Sequence, residues 1–274
     1  MAKLLIERRT KYTPKPRSVR WCALRLAVWL FAAIATPAAA LAADLPDTID
    51  RIRPSVVAVG TFQPSGSPRQ QFRGTGFAVG DGRFVVTNFH VLPEKLDEEK
   101  REQLAVFSGR GRTARYHPAT VAATDPAHDL ALLRIKQPLP ALSLHTGSDP
   151  REGENIAFTG FPIGMALGLY PVTHHGIISA ISPMAPPQLG SRVLSAKMIR
   201  AMRDPFDVYQ LDATAYPGNS GSPVYDQRTG SVIGVINSVF VKETKEAVIQ
   251  KPSGISYAIP VRFVRALLQE GQRG

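Results

Sequence analysis

One serine of this sequence has a setting that suits nucleophilic catalysis, because Gly218 precedes it by two residues and Gly221 follows it directly. Ser220 lies within residues 217–223 (PGNSGSP). A nucleophilic serine needs its oxygen on a tight turn and needs backbone N–H groups aimed at the developing oxyanion, and glycines permit both. The same residues also favour an ordinary turn between two strands, so this motif alone leaves both interpretations open.

A histidine and an aspartate add to this pattern. His90 ends the segment 83–91 (RFVVTNFHV), and Asp129 begins the apolar segment 129–135 (DLALLRI). Histidine is the usual base for a serine because its pKa lies close to working pH, and an aspartate can hold the imidazole tautomer and stabilise its charge. Taken singly, they are equally a strand-end surface histidine and a turn aspartate. Together, in the order His, Asp, Ser, the three residues predict a catalytic triad.

The elements that must position these residues are mostly short strands. Runs rich in β-branched and aromatic residues recur between Gly, Asn, Asp and Pro, which favours a sandwich or barrel over a βαβ sheet. A short helix is expected over 45–55 with Asp47 as its cap, a solvated helix over 94–103 (EKLDEEKREQ), and a terminal helix after Pro260. The predicted strands are 56–62, 75–79, 84–87, 130–135, 156–159, 176–181, 208–211, 232–241 and 254–259.

Residues 1–42 have the order of charge and hydrophobicity that is typical of an export signal peptide. A basic stretch precedes the apolar run 26–35 (LAVWLFAAIA), and Pro37 and the small-x-small pattern of residues 40–42 (ALA) follow it. Cleavage is expected after Ala42, which leaves a mature chain of residues 43–274. The alternative is an uncleaved membrane anchor over 26–43, since that run approaches the ~18 to 20 residues that span a bilayer.

Composition excludes several other classes of function. The whole chain has a net charge of +11, but residues 43–274 hold 25 basic and 21 acidic residues, a net charge of +4. The high isoelectric point therefore gives no argument for nucleic-acid binding. Cys22, the only cysteine, lies in the signal, so no disulfide is expected in the mature chain. The histidine spacing matches no zinc motif, and no metal or other cofactor is expected.

These motifs resemble those of the chymotrypsin-like serine peptidases and, within them, the HtrA/Deg group. The resemblance covers about residues 52–268. It implies an all-β fold of two perpendicular six-stranded antiparallel β-barrels, expected over 52–148 and 149–260, with a C-terminal helix over 260–270. The matching segments are 74–77 (GTGF), 87–91 (TNFHV), 129–133 (DLALL), 160–162 (GFP), 176–180 (GIISA), 218–221 (GNSG) and 254–260 (GISYAIP).

The resemblance implies a serine endopeptidase that works through an acyl-enzyme on exported, unfolded proteins, in a periplasm or after secretion. His90, Asp129 and Ser220 would form the triad, and the N–H groups of Gly218 and Ser220 the oxyanion hole. The alternative is a catalytically latent, peptide-binding or chaperone-like module on the same fold. Partners are therefore protein or peptide substrates, with no nucleic acid and, after cleavage of the signal, no membrane.

The resemblance also suggests a substrate pocket. Thr214 would lie near its base, and because no acid stands there, we expect a small or medium aliphatic residue before the scissile bond. Ser222 replaces a glycine that the family usually has after the nucleophile motif. The expected pocket walls are Asn237, Ser238, Val239, Gly254, Ile255 and Ser256.

Two further features bear on regulation. The PDZ domain that normally follows in the family is not expected in this sequence, so the resemblance fixes no oligomeric state, a trimer being one option. Residues 182–205 form a long Pro- and Met-rich stretch before the predicted nucleophile strand. One hypothesis is that this loop orders the oxyanion loop when a substrate or partner binds, and the alternative is a solvated insertion without a role.

Overall fold

The structure is a computed structural model that describes residues 44–162, 168–184, 206–237 and 255–274. The predicted signal peptide with Cys22, and residues 185–205 of the hypothetical regulatory loop, lie outside the described residues. Within the described ranges, no helix is long and apolar enough to cross a membrane.

The first barrel is a closed antiparallel sheet of six strands in the order β1-β2-β3-β6-β5-β4. It closes where β1 pairs with β4, with Val59 opposite Val106. Closure leaves no edge strand open to another chain. The strands are β1 (Val56–Phe62), β2 (Gln70–Val79), β3 (Phe84–Asn88), β4 (Gln103–Ser108), β5 (Arg115–Asp125) and β6 (Leu130–Ile135).

The second barrel repeats this architecture in the order β10-β11-β12-β9-β8-β7. It closes where β10 pairs with β7, with Val224 opposite Phe158. The predicted fold class of two six-stranded antiparallel barrels with a C-terminal helix is confirmed. The strands are β7 (Asn155–Gly160), β8 (Val172–Pro183), β9 (Asp207–Asp212), β10 (Pro223–Asp226), β11 (Val232–Asn237) and β12 (Ile255–Pro260).

Many strands are continuous runs of apolar residues because both of their faces are buried. On β1, Val57 and Val59 belong to a cluster built only from the first half of the chain. Their neighbours Val56 and Ala58 point the other way, into a cluster that joins both barrels and the C-terminal helix. Because side chains alternate between the two faces of a strand, one segment stabilises both the inside of a barrel and its packing on the rest of the domain.

Within the described residues, two α-helices flank the barrels. The N-terminal helix Leu45–Ile52 is capped by Asp44, whose carboxylate accepts a hydrogen bond from Leu45 N at 2.8 Å. The prediction of Asp47 as the cap was therefore wrong, because Pro46 can occupy the first helical turn and the chain already turns before it. The C-terminal helix Val261–Arg273 buries Val264 and Leu267 against the shared cluster.

The solvated helix expected over 94–103 does not form. Asp97 accepts a hydrogen bond from Lys100 N at 3.1 Å, and its own N–H donates to the Glu102 carboxylate at 2.9 Å. These side-chain bonds compete with helical ones, and Arg101 adopts a left-handed φ of 55°. The segment is therefore a charged turn that leads into β4.

Candidate active site

The pairing of β3 with β6 brings His90 and Asp129 together. Asn88 at the end of β3 lies opposite Leu130 at the start of β6. His90 follows β3 on a single 3₁₀ turn, Phe89–Val91, and Asp129 precedes β6. The carboxylate then meets the histidine twice: Oδ2 lies 2.6 Å from His90 Nδ1, and Oδ1 accepts from His90 N at 3.0 Å.

Asp129 holds a backbone conformation that few side chains adopt. Its φ is 54°, in the left-handed region, which costs about 1 kcal/mol for an L-residue but least for Asp and Asn. The carbonyl of Asp129 accepts from Phe89 N and from Asn88 Nδ2, both at 3.0 Å. These bonds stabilise the turn, so the carboxylate is aimed at the histidine by the backbone itself.

A residue of the second barrel completes the setting of Asp129. Asn237, the last residue of β11, donates from Nδ2 to Asp129 Oδ2 at 2.8 Å. The carboxylate thus accepts three hydrogen bonds, and its side chain is 9% exposed against 28% for His90. Asn237 is also an expected wall residue of the substrate pocket, and that role stays a prediction. Its side-chain amide reaches Asp129 because β11 ends beside the first barrel.

The loop of Ser220 lies between β9 and β10, and several backbone hydrogen bonds hold it. Asn219 N donates to Tyr216 O and Ser222 N to Asn219 O, both at 2.9 Å, while Gly221 N donates to Ile236 O at 3.0 Å. Across the described part of the chain, the N–H groups of Gly218 and Ser220 have no protein acceptor. The loop therefore alternates bonded and unbonded N–H groups.

The two glycines that flank Asn219 and Ser220 have positive φ, 100° at Gly218 and 88° at Gly221. At Gly221 a Cβ would also lie 2.0 Å from Thr75 O, so no other residue fits there. Glycine at position 221 is therefore required by the contact with Thr75 as well as by the turn itself.

Ser220 and the histidine segment both contact Gly74. A Cβ at Gly74 would lie 2.7 Å from Val91 Cγ2 and 2.9 Å from Ser220 O, so only glycine lets these two segments approach the strand from both sides. Ser220 is 5% exposed. Its Oγ makes no hydrogen bond to any described residue, and the ring bond of His90 goes to Asp129.

The expected pocket is only partly within the described residues. Ser256 Oγ donates to Ala213 O at 2.6 Å and accepts from Ala215 N at 2.7 Å. It therefore fixes the backbone on both sides of Thr214, beneath the expected pocket base. Ser238, Val239 and Gly254 lie outside the described residues, as does the side chain of Ile255. No three His, Cys, Asp or Glu side chains of the described ranges converge in a way that could hold a metal ion.

The sequence of this domain matches a known protein family. A model of the trypsin-like peptidase domain matches residues 74–235, a range that contains His90, Asp129 and Ser220. The chain belongs to the trypsin-like peptidase family.

Within the trypsin-like peptidases, the similar curated proteins are HtrA serine proteases, as the sequence motifs predicted. The mitochondrial serine protease HTRA2 of Bos taurus is 32% identical over 84% of this chain and 43% of its own length. Serine protease HTRA4 of Mus musculus is 34% identical over 81% of this chain and 40% of its own length. The chain therefore spans less than half of the length of these relatives.

Solved structures show the same trypsin-like peptidase fold. A structure of the HtrA-type protease AlgW with a tripeptide is 26% identical, with a TM-score of 0.58, and the match covers 83% of this chain and 63% of that one. The crystal structure of Deg5 is 23% identical, with a TM-score of 0.56, and the match covers 81% of this chain and 90% of that one. At this identity it supports the fold alone.

The trypsin-like peptidase domain also holds site residues that sequence reasoning missed. Asn88 and Thr75 lie in the segments 87–91 and 74–77 that carried the resemblance, but neither received a role. Nothing in their spacing indicated that Asn88 would bind the Asp129 carbonyl or that Thr75 would bind the Ser220 loop. These contacts join residues 41 and 143 positions apart.

Proposed function

We propose that this chain is a serine endopeptidase that hydrolyses proteins through His90, Asp129 and Ser220. The observation that carries the proposal is the 2.6 Å contact between His90 Nδ1 and Asp129 Oδ2, on a carboxylate that Asn237 also binds. A carboxylate at Nδ1 selects the tautomer whose Nε2 is the free base, and it stabilises the imidazolium that forms when Nε2 takes a proton.

The first half of the reaction forms an acyl-enzyme. Ser220 Oγ attacks the peptide carbonyl carbon as its proton passes to His90 Nε2. The tetrahedral intermediate collapses with cleavage of the C–N bond, and His90 gives its proton to the departing amine. In the second half, a water molecule attacks the Ser220 ester while His90 takes its proton. The acyl C–O bond then breaks, His90 gives that proton to Ser220 Oγ, and the carboxylic acid leaves.

The unbonded N–H groups of Gly218 and Ser220 suit the oxyanion of this intermediate. They alternate with the N–H groups of Asn219 and Gly221, which are already bonded, so the loop needs little reorganisation when charge develops. Preorganised donors of this kind are a large catalytic term, since loss of one typically lowers kcat by about 10² to 10³.

The substrate class follows from the uncharged pocket base. Thr214 carries no charge, and Ser256 fixes the backbone around it, so a small or medium aliphatic side chain fits better than Lys or Arg. Digestion of a peptide library should give cleavage mainly after residues such as Val or Ala. Cleavage mainly after Lys or Arg would contradict this pocket assignment.

The proposal includes export of the protein to a periplasm or beyond the cell, where its substrates are unfolded exported proteins. It rests on the signal pattern of residues 1–42. The intact mass of the protein recovered from an exporting host should correspond to a chain that starts near Ala43, and a mass that retains residues 1–42 would count against it.

A second candidate is a latent module that binds peptides without cleaving them. It is favoured by one observation, that Ser220 Oγ makes no hydrogen bond to His90. In free enzymes this bond often forms only when substrate is bound, so the two candidates need an experiment to separate them.

That experiment is cleavage of unfolded casein by the protein from Ala43 onward, beside Ser220→Ala and with a serine-directed phosphonate. The exposed Ser65→Ala is the matched control for loss of a hydroxyl. We expect cleavage and labelling in the wild type and in Ser65→Ala, and neither in Ser220→Ala. A folded wild type that neither cleaves nor takes the label would support the latent module.

A further inference from the structure

Thr75, in β2 of the first barrel, is bonded to the Ser220 loop of the second. It is fully buried. Its hydroxyl donates to Gly218 O at 2.7 Å, and its N–H donates to Ser220 O at 2.8 Å. Two bonds from one residue therefore hold two carbonyls of the loop.

The hydroxyl of Thr75 acts as both a donor and an acceptor in this arrangement. Its single proton goes to Gly218 O, and its oxygen accepts from Phe161 N at 3.0 Å. Phe161 follows β7, so the same hydroxyl ties two loops of the second barrel to the first. A valine would fill the same volume but could make neither bond.

These contacts fix whole peptide planes, because each plane is held at both ends. The plane that joins Gly218 to Asn219 is held at its oxygen by Thr75 Oγ1 and at its N–H by Tyr216 O. The plane that joins Ser220 to Gly221 is held at its oxygen by Thr75 N and at its N–H by Ile236 O. The two clamped planes lie on either side of the Ser220 N–H.

Gly218 is the point where such a clamp is needed. Its φ is 100°, and without a Cβ it can reorient its peptide planes at little steric cost. The Gly218 N–H lies in the adjoining Pro217–Gly218 plane, so a reorientation about Gly218 would turn this N–H relative to that of Ser220. The only side-chain hydroxyl of the described residues that bonds to Gly218 is that of Thr75.

We infer that Thr75 is a positioning residue for the oxyanion loop: its hydroxyl holds Gly218 O and thereby keeps the Gly218 and Ser220 N–H groups directed at one substrate oxygen. This inference rests on the proposed function and adds to it a residue that never touches the substrate. It predicts an effect on turnover with little effect on substrate binding.

The test compares Thr75→Val, Thr75→Ser and Thr159→Val in the full protein. Thr159 is the matched control, since it is fully buried in the second barrel and its hydroxyl contacts two others, Thr173 Oγ1 and Tyr225 OH, each at 2.8 Å. We expect Thr75→Val to lower kcat by about 10- to 100-fold with KM within about threefold, a partial loss of an oxyanion-donor effect. Thr75→Ser should recover kcat to within about threefold of the wild type, and Thr159→Val should keep it.

A folded Thr75→Val protein with wild-type kcat would overturn the inference, as would a loss that Thr159→Val shares. Should Thr75→Val not fold, Thr75→Cys replaces it, because a thiol is only a weak donor and should give a kcat below that of Thr75→Ser.

A second readout keeps this test separate from the proposed function. If the wild type itself cleaves nothing, amide hydrogen exchange of the peptide that covers residues 216–222 still measures the clamp. Exchange of this peptide should be faster in Thr75→Val than in the wild type and in Thr159→Val. Equal exchange in all three proteins would contradict the role of Thr75 without reference to catalysis.

Discussion

Two histidine–aspartate pairs of this molecule have nearly the same local geometry. In the first, His90 Nδ1 lies 2.6 Å from Asp129 Oδ2, and His90 N donates to Oδ1 at 3.0 Å. In the second, His128 Nδ1 lies 2.6 Å from Asp125 Oδ2, and His128 N donates to Oδ1 at 3.1 Å. The side chains of the two histidines are also similarly exposed, 28% and 25%.

The pairs differ in what surrounds them. His128 and Asp125 are three residues apart. The His128 ring is stacked on Phe263 of the C-terminal helix, with the ring centroids 3.7 Å apart, and it lies edge-on to Phe206, with the centroids 4.6 Å apart. His90 and Asp129 are 39 residues apart, and no aromatic ring of the described residues stacks on His90.

A short histidine–carboxylate contact therefore does not by itself identify a base. A turn can place a histidine next to an aspartate three residues away. The imidazole of such a pair can then contribute to packing by stacking on an aromatic ring. The His90 pair is distinguished by its position beside the Ser220 loop and by the second-barrel amide of Asn237 on its carboxylate.

The strongest test of this distinction replaces each histidine by alanine. His90→Ala should lower kcat by about 10⁴- to 10⁶-fold, because the proposed base is lost. His128→Ala should keep kcat within about threefold but lower the free energy of unfolding by about 1 kcal/mol, through loss of the stacking on Phe263. Casein cleavage and urea unfolding measure both effects. Equal losses of activity in the two variants would show that the pairs are not functionally distinct.

An intermediate effect is expected from Asn237, whose amide binds the carboxylate of the first pair. Asn237→Ala removes one of the three hydrogen bonds to the Asp129 carboxylate. Hydrogen bonds to charged groups contribute about 1.5 to 3 kcal/mol, so kcat should fall about 10- to 100-fold while Ser220 still takes the phosphonate slowly. Gln210→Ala, which removes another second-barrel amide bonded to Ser182, is the control and should keep kcat. Wild-type kcat in Asn237→Ala would mean that the His90 pair needs no support from the second barrel.

The smallest effect concerns a third histidine, which has a hydroxyl partner instead of a carboxylate. His117 Nε2 lies 2.8 Å from Ser108 Oγ inside the first barrel, and burial together with the charge of Arg115 lowers the pKa of His117 below 6.5. The unfolded chain therefore binds this proton more readily than the folded one, and the stability falls as the pH drops below about 6.5.

Urea unfolding at a series of pH values between 7.5 and 5.5 measures this effect. His117→Gln should make the loss of stability towards acid pH smaller, because glutamine does not titrate. An unchanged pH dependence in His117→Gln would show that burial of this histidine is not what makes the fold acid-sensitive.

The strand pattern made a sandwich or barrel predictable because most strands are short, apolar and separated by turn residues, and the resemblance to the HtrA/Deg group then implied two six-stranded barrels. It also brought His90, Asp129 and Ser220 to notice, since each stands at a strand end or in a glycine turn where side-chain type alone suggests chemistry. Local capping was less predictable: Asp44 took the role expected of Asp47, and side-chain bonds of Asp97 replaced the helix expected over 94–103.

The contacts of the supporting residues became evident only from the tertiary structure. Asn237 binds Asp129, a contact that its expected place in the pocket wall did not predict, and Thr75 binds a loop 143 residues away. Periodicity and turn preferences report on neighbours within a few residues, because they arise from local backbone geometry. Contacts between the barrels depend on strand order and register, which no local pattern encodes. The sequence alone therefore indicated the candidate residues for chemistry, and the fold established which residues contact them.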